Sequence, residues 1–253
     1  MNAETAEALR TITNNFYKNQ CDSFSETRKA PWFGWEKCLA TITEADPAAW
    51  QDFSVFDLAC GNLRFEDFIS SLFTQATIAF YAVDNCDALV PFSPSVDYQS
   101  FDVLDALCRG ESITDHLTAP ACDLSVSFGF LHHVFSHAYR EAILESLIAQ
   151  TRPGGYIVIS LWQFLNSAEM AEKAQVTHVR ALEELGLPAL DENDYLLGWK
   201  NLPGQYRYCH SFSETEIDQL IAAVANRTTL VSRFAADGRT GNLNTYVVLR
   251  VNL

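Results

Sequence analysis

No run of about 18 apolar residues occurs in the 253-residue chain, so no segment qualifies as a membrane-spanning helix. No Cys-x-x-Cys pair is present either. The seven cysteines stand at positions 21, 38, 60, 86, 108, 122 and 209, an odd number at wide spacings. That pattern indicates neither a disulfide framework nor a zinc ribbon and leaves buried free thiols as the expectation. Cations are scarce: 17 Lys and Arg stand against 32 Asp and Glu, for a formal net charge of −15. Unaided binding to a phosphate backbone needs clustered cations, so this balance disfavours it without excluding a local basic patch. The opening stretch MNAETAEALRTITNNFYKNQ lacks the charged-then-apolar order of a signal peptide, and a cytoplasmic location is expected. No internal repeat and no second domain is visible. Residues 1–253 are expected to form a single domain, and the hydrophobic fraction of 48% is enough for a sizeable core.

What is present is organised around VFDLACGNLRFEDF, residues 55–68. It reads as a buried strand over 55–59, a tight turn over 60–63 and a helix over 65–73. A strand that feeds a helix through a Gly-containing turn leaves free backbone N–H groups at the strand's carboxyl end, and Gly61 lets a ligand approach closely. A second strand, 78–84, ends on Asp84, at about the spacing from Asp57 at which an acidic residue meets a ribose. Strand three is expected to end near Phe101, with Asp102 and Val103 at its tip. CDLSVSFGF, 122–130, is nearly continuous in apolar and small residues, as suits a parallel strand buried on both faces. It delivers His132 and His133 at its carboxyl end.

Ser136 is positioned to cap a helix over 137–150. Residues 152–155, Arg-Pro-Gly-Gly, read as a stop and turn, and 156–162 as strand five. Residues 163–212 form an insertion near the site, with a helix over 170–185 and a loop over 191–207. Ser213 and Glu216 make a capping box ahead of a helix carrying Ile217, Leu220, Ile221 and Val224 at helical spacing. TTLVSRFA and LNTYVVLRV close the chain as an antiparallel hairpin. At the other end, residues 1–50 read as a helical cap: a helix over 3–19, then a second opened by Pro31, with Trp32 and Trp35 either on the pocket or in plain core packing. The fold expected is α/β, a seven-stranded, mostly parallel, doubly wound Rossmann-like sheet with a closing antiparallel hairpin and an N-terminal helical cap.

The pair Asp57-Leu58-Ala59-Cys60-Gly61-Asn62-Leu63 and Tyr81-Ala82-Val83-Asp84-Asn85 resembles motifs I and II of class I S-adenosylmethionine (SAM) methyltransferases. Only the middle glycine of the usual Gly-x-Gly-x-Gly run is kept. The resemblance implies SAM as cofactor, met by Asp57, Ala59, Cys60, Gly61 and Asn62 of the loop, by Asp84 and Asn85, by Asp102 and Val103 beside the adenine, and by Ser127 and Phe128. Three further stretches, FSETRKAPW (24–32), FLHHVFS (130–136) and YLLGWKNLPGQYRYCHSFSETEI (195–217), are similar to those of the tRNA wobble-uridine carboxymethyl methyltransferases. The loop Gly61-Asn62-Leu63-Arg64 departs from that family's Gly-Asn-Gly-Lys. The resemblance implies transfer of a methyl group to a carboxylate, with Arg28, His132, His133, Arg207 and His210 as catalytic candidates. It also implies tRNA or an anionic metabolite as acceptor and a small partner protein as a possible helper. A small-molecule O- or N-methyltransferase and a non-catalytic SAM-fold scaffold are the other readings. His133 and His137 have a ligand spacing, but no third ligand lies at a fitting distance, so no metal is expected.

Overall fold

The computed structural model describes residues 2–253. Helix α1 (Ala3–Glu26) starts where the Asn2 side chain accepts the Thr5 N–H at 2.8 Å. It buries Leu9 and Phe16 and runs seven residues beyond the predicted end at residue 19. Its second half is polar, so apolar spacing gives no sign of it, yet nothing breaks a helix before Pro31. Helix α2 (Phe33–Ala45) follows, with Trp32 rather than Pro31 at its threshold. It packs Trp35, Cys38, Leu39 and Ile42 on one sheet face. Gly34 permits that approach: a Cβ there would fall 2.0 Å from Cε2 of Tyr246.

The chain then enters β1 (Asp52–Leu58), α3 (Arg64–Leu72), β2 (Thr77–Asp84), β3 (Val96–Ser100), α4 (Val103–Cys108) and β4 (Cys122–Ser127). A single turn of 3-10 helix over Leu131–His133 leads to α5 (His137–Ala149), capped by Ser136 as the sequence predicts. Strand β5 (Thr151–Trp162), α6 (Ala168–Leu185), β6 (Asp194–Gly198), β7 (Tyr206–His210), α7 (Glu214–Ala223), β8 (Thr228–Ala236) and β9 (Asn244–Val251) complete the chain. The main sheet has the order β3-β2-β1-β4-β5-β9-β8. Strands β1 to β5 are parallel, and β9 runs antiparallel between β5 and β8. The seven-stranded, mostly parallel Rossmann-like sheet with a closing hairpin is thus the one expected. Connecting helices cover both faces, and each face has its own apolar cluster. Each fully buried Leu, Val or Phe contributes roughly 1.5–3 kcal/mol relative to exposure.

Three local expectations are corrected. Strand β4 ends at Ser127, because Gly129 takes φ +67° and the chain leaves the sheet there. The turn over residues 152–155 lies inside β5, as a bulge between the pairs Cys122–Thr151 and Leu124–Tyr156, with Gly154 at φ +81°. Residues 191–207 are not a loop: β6 and β7 form a two-stranded antiparallel sheet whose register sets Leu197 opposite Arg207 and Asp194 opposite His210. Among the described residues no helix is long and apolar enough to cross a membrane.

One pair of acids is buried where β1 meets α3. Asp57 and Glu66 are each 3% exposed, and neither has a basic partner among the described residues. Burial pushes both carboxyls up, Asp57 well above the carboxylate range and Glu66 to about 7, and the charge of Glu66 raises Asp57 further. An acid with a raised folded pKa binds more protons folded than unfolded, so stability falls as pH rises from the ordinary 4.5 through about 7. Glu66→Gln keeps an acceptor for the protonated Asp57 and removes the titration of residue 66. It should flatten that fall and, above pH 7, gain on the order of 3 kcal/mol over the parent. Urea midpoints between pH 5 and 8 check this; parallel curves for parent and variant would refute it.

Candidate active site

A cavity of about 440 Å³ opens at the carboxyl ends of β1, β2 and β4, under α1 and α2. Its volume is that of a small-molecule site. The residues proposed from the sequence all line it except Ser127 and His210. Ser127 donates to Leu58 O at 2.9 Å and so ties β4 to β1 beneath the cavity. His210 lies on the far face of β7, 2.7 Å from Asp194 and 2.9 Å from Glu216. Side chains alternate across a strand, so Arg207 and His210, three residues apart, cannot share a face. The predicted loop concealed that parity.

The acidic half of the cavity is built by the loop after β1. Ala59, Gly61 and Leu63 have φ of 69°, 58° and 56°, so the left-handed backbone that glycines usually supply is kept with only one glycine. Two alanine-or-larger residues in this region cost roughly 1–2 kcal/mol each. Three bonds hold the strained path: Ala59 N–H and Cys60 N–H donate to Val83 O at 2.8 and 3.1 Å, and Gly61 N–H donates to Asp84 Oδ2 at 2.9 Å. Leu63 buries its side chain against Cys60 and Ala82. Asp84 also accepts the Cys86 N–H at 2.9 Å. Burial raises its carboxyl, and these backbone bonds oppose the rise.

Beside it, Asn85 donates to Asn14 at 2.9 Å, Asn14 to Asp102 at 2.8 Å, and Arg10 to Asp102 at 2.9 Å. Asp102 also caps α4 through the Asp105 N–H. Burial raises this carboxyl, but the four donors around it outweigh burial and hold it below its usual range. Asp57 keeps one buried oxygen unpartnered on the cavity wall.

The basic half holds Arg28 and Arg207. Arg207 is 7% exposed, lies 4.9 Å from the Phe16 ring and 5.5 Å from the Trp199 ring, and has an unpartnered Nη1. Arg28 sits 4.9 Å over Phe24. Burial, with the charge of Arg207, lowers its pKa. Neither makes an ion pair among the described residues. His133 Nδ1 is 2.6 Å from Tyr208 O and Nε2 is 2.8 Å from Tyr17 Oη. These partners fix the tautomer: Nδ1–H donates to the carbonyl, and Nε2 accepts from the phenol. Burial lowers His133 to about 3 and His132 well below the usual range, so both stay neutral. His132 faces Trp162, with a ring separation of 5.0 Å, and keeps a buried, unpartnered Nδ1.

The histidine spacing seen in the sequence is divided: His137 pairs with Glu141 at 3.3 Å outside the cavity wall. His132, His133 and Cys209 instead bring their ligand atoms within 4.8 Å of one another. Both nitrogens of His133 are already engaged, so a cation there has to displace Tyr208 O or Tyr17 Oη. Sequence reasoning missed Asn14, Tyr17, Arg64, Trp162 and the Asp237–Asn244 turn on the cavity wall. Asn14 and Tyr17 carry the helical i, i+3 spacing, which alone does not separate a polar solvent face from a pocket face.

The strained loop yields a direct expectation. Ala59→Gly should stabilise the protein by about 1 kcal/mol, because glycine adopts φ > 0 without the Cβ clash. Ala82→Gly, in the extended interior of β2, should instead destabilise it. Denaturant unfolding of the two variants checks the contrast; a loss of stability at both positions would remove the assignment of strain to residue 59.

No protein-family model matches the chain. It is 25% identical over 159 residues to the tRNA (carboxymethyluridine(34)-5-O)-methyltransferase ALKBH8 of Macaca fascicularis, covering 63% of this chain and 21% of that protein. To the tRNA (carboxymethyluridine(34)-5-O)-methyltransferase of Arabidopsis thaliana it is 23% identical over 158 residues, 62% of this chain and 34% of that one. The chain thus aligns with only a fifth to a third of the length of these relatives. Among solved structures, the DhpI–SAM–HEP complex superposes with a TM-score of 0.57 at 15% identity over 93% of this chain and 94% of that one. A SAM-dependent methyltransferase from Methanosarcina mazei gives a TM-score of 0.55 at 14% identity over 80% and 94%. The chain has the fold of class I SAM-dependent methyltransferases and resembles the carboxymethyluridine enzymes in sequence.

Proposed function

We propose that the protein is a SAM-dependent methyltransferase acting on a carboxylate or similarly anionic acceptor, with the carboxymethyl group of a wobble uridine in tRNA as the leading candidate. The observation that carries the acceptor class is the pair Arg28 and Arg207, two cations without carboxylate partners on the cavity wall of a protein with net charge −15. The cavity suits the cofactor: Asp57 offers a free buried oxygen to a cationic ligand, and space is open around Gly61. SAM supplies an electrophilic methyl group. A carboxylate is already nucleophilic, so no general base is required, in keeping with histidines held neutral and poorly basic by burial. The work left to the chain is positioning and drying. Arg207, packed against two adjacent rings, presents a guanidinium that suits two parallel bonds to a carboxylate. Tyr17, Phe24 and Trp32 of the N-terminal cap line the cavity with aromatic surface and so reduce the water around a bound acceptor. An RNA acceptor on so acidic a chain is in keeping with help from a small partner protein.

Calorimetry should show SAM binding by the parent and its loss in Asp84→Ala, which removes the anchor of the loop. Arg207→Met should bind SAM within about threefold of the parent yet slow single-turnover methyl transfer by roughly 10²-fold, since a charged bond to the reacting group contributes about 3 kcal/mol. The acceptor is found by mass spectrometry of nucleosides and metabolites from cells with and without the gene. Equal rates for parent and Arg207→Met would assign Arg207 to packing.

A further inference from the structure

A third arginine faces the cavity from the acidic half. Arg64 is the first residue of α3, directly after the left-handed loop. Its guanidinium carbon lies 4.9 Å from the Trp32 ring and 4.8 Å from the Trp35 ring, and Nη1 donates to Ala30 O at 2.8 Å. Nε is buried and unpartnered, and no carboxylate pairs with this side chain among the described residues. Asp237 is the acid whose field reaches it. That carboxylate is already occupied, accepting the Gly34 N–H at 3.1 Å, Asn244 Nδ2 at 3.0 Å and the Tyr246 hydroxyl at 2.5 Å.

Burial therefore acts on an unneutralised cation. It lowers Arg64 to about 10, with the charge of Arg28 adding, and at that value the side chain is still charged at neutral pH. An arginine kept charged, set against two adjacent indoles and without a carboxylate partner suits an anion that arrives from outside. Leu63, at the N-cap of α3, provides no side-chain acceptor, so the first backbone N–H groups of the helix are left without a side-chain cap.

We propose that Arg64 holds the carboxylate of the methionine moiety of SAM, while Asp57 on the same strand–turn–helix unit faces its ammonium group. This rests on the SAM reading above and deepens it. The methionine end is a zwitterion, and the β1–α3 unit carries one unpaired acceptor and one cation without a carboxylate partner: the free Asp57 oxygen and the Arg64 guanidinium. Arg207, by contrast, stands on β7 beside His133, in the basic half, and is left for the acceptor. The alternative role for Arg64 is structural, as a clamp on the 28–32 linker through Ala30 O. The two roles differ in what they require of the ligand: a clamp is indifferent to a carboxylate, whereas a recognition site is not.

The test is calorimetric titration of the intact protein with SAM and with decarboxylated SAM, which keeps the adenosine, sulfonium and ammonium but has no carboxylate. The parent should prefer SAM by roughly tenfold or more, as expected for a charge-assisted pair. Arg64→Met, which preserves a flexible apolar stem against the indoles, should lose roughly tenfold in SAM affinity while its affinity for the decarboxylated analogue stays within about twofold. Arg64→Lys, which keeps the charge, should recover part of the preference. Equal losses for the two ligands in both variants, or an undiminished preference for SAM in Arg64→Met, would overturn the assignment and leave Arg64 as a clamp. A parent that binds both ligands equally would overturn it as well, with the methyltransferase reading intact. A parent that binds neither would overturn that reading and this one with it.

Discussion

The arrangement of the site depends on one carboxylate. Asp84, at the tip of β2, receives the N–H of Gly61 from the loop after β1 and the N–H of Cys86 from its own turn. These bonds fix a backbone path in which residues 59, 61 and 63 are left-handed. Without them, Ala59 and Leu63 have every reason to relax into ordinary conformations, since each carries a Cβ that the left-handed region disfavours. Everything on the acidic side follows from that path. Residue 61 opens toward the cavity, α3 starts at residue 64, and Arg64 meets the two tryptophans of the cap. Strain of this kind persists only where the surroundings over-determine it, and such places cluster at binding sites.

Helix α1 has a different task from the other helices. It does not simply cover the sheet. Through Arg10 and Asn14 it holds Asp102 and Asn85, and through Tyr17 it holds His133, so one face of one helix spans both halves of the cavity. Each of these bonds sits at the boundary between a buried polar group and a hole large enough for a ligand. The cost of leaving such groups unpaired is about 1–3 kcal/mol each, which gives the helix a reason to stay docked when the cavity holds no ligand.

Much of the fold was legible because its signals are local. The continuous apolar run at 122–127, the caps at Ser136 and Ser213, and the turn-separated pair of strands at the end all depend on residues adjacent in the chain. The losses came where parity or distance decides. Reading 191–207 as a loop hid the two-residue alternation that sends Arg207 toward the cavity and His210 into the cluster with Asp194 and Glu216. Ser127 and Phe128 are neighbours on the chain, yet the strand's end turns the serine into the sheet and the phenylalanine into the cavity. Asn14, Tyr17 and Trp162 have no sequence signal of their own; only the docking of α1 and the end of β5 brings them to the cavity wall.

The charges of the cavity are sorted more finely than the net charge suggests. An acidic chain has ample carboxylates to neutralise its few cations, and most arginines here are so paired, Arg10, Arg109 and Arg233 among them. Arg28, Arg64 and Arg207 are not paired, although each loses hydration by partial or full burial. What replaces water around them is aromatic: Phe24 for Arg28, Trp32 and Trp35 for Arg64, Phe16 and Trp199 for Arg207. A ring face stabilises a cation without competing for its N–H groups. A carboxylate partner would have stabilised it more but would have spent those donors. The rings therefore keep three partly or fully buried guanidinium groups without spending their N–H donors on a carboxylate, and that is the condition the proposed binding of anions requires.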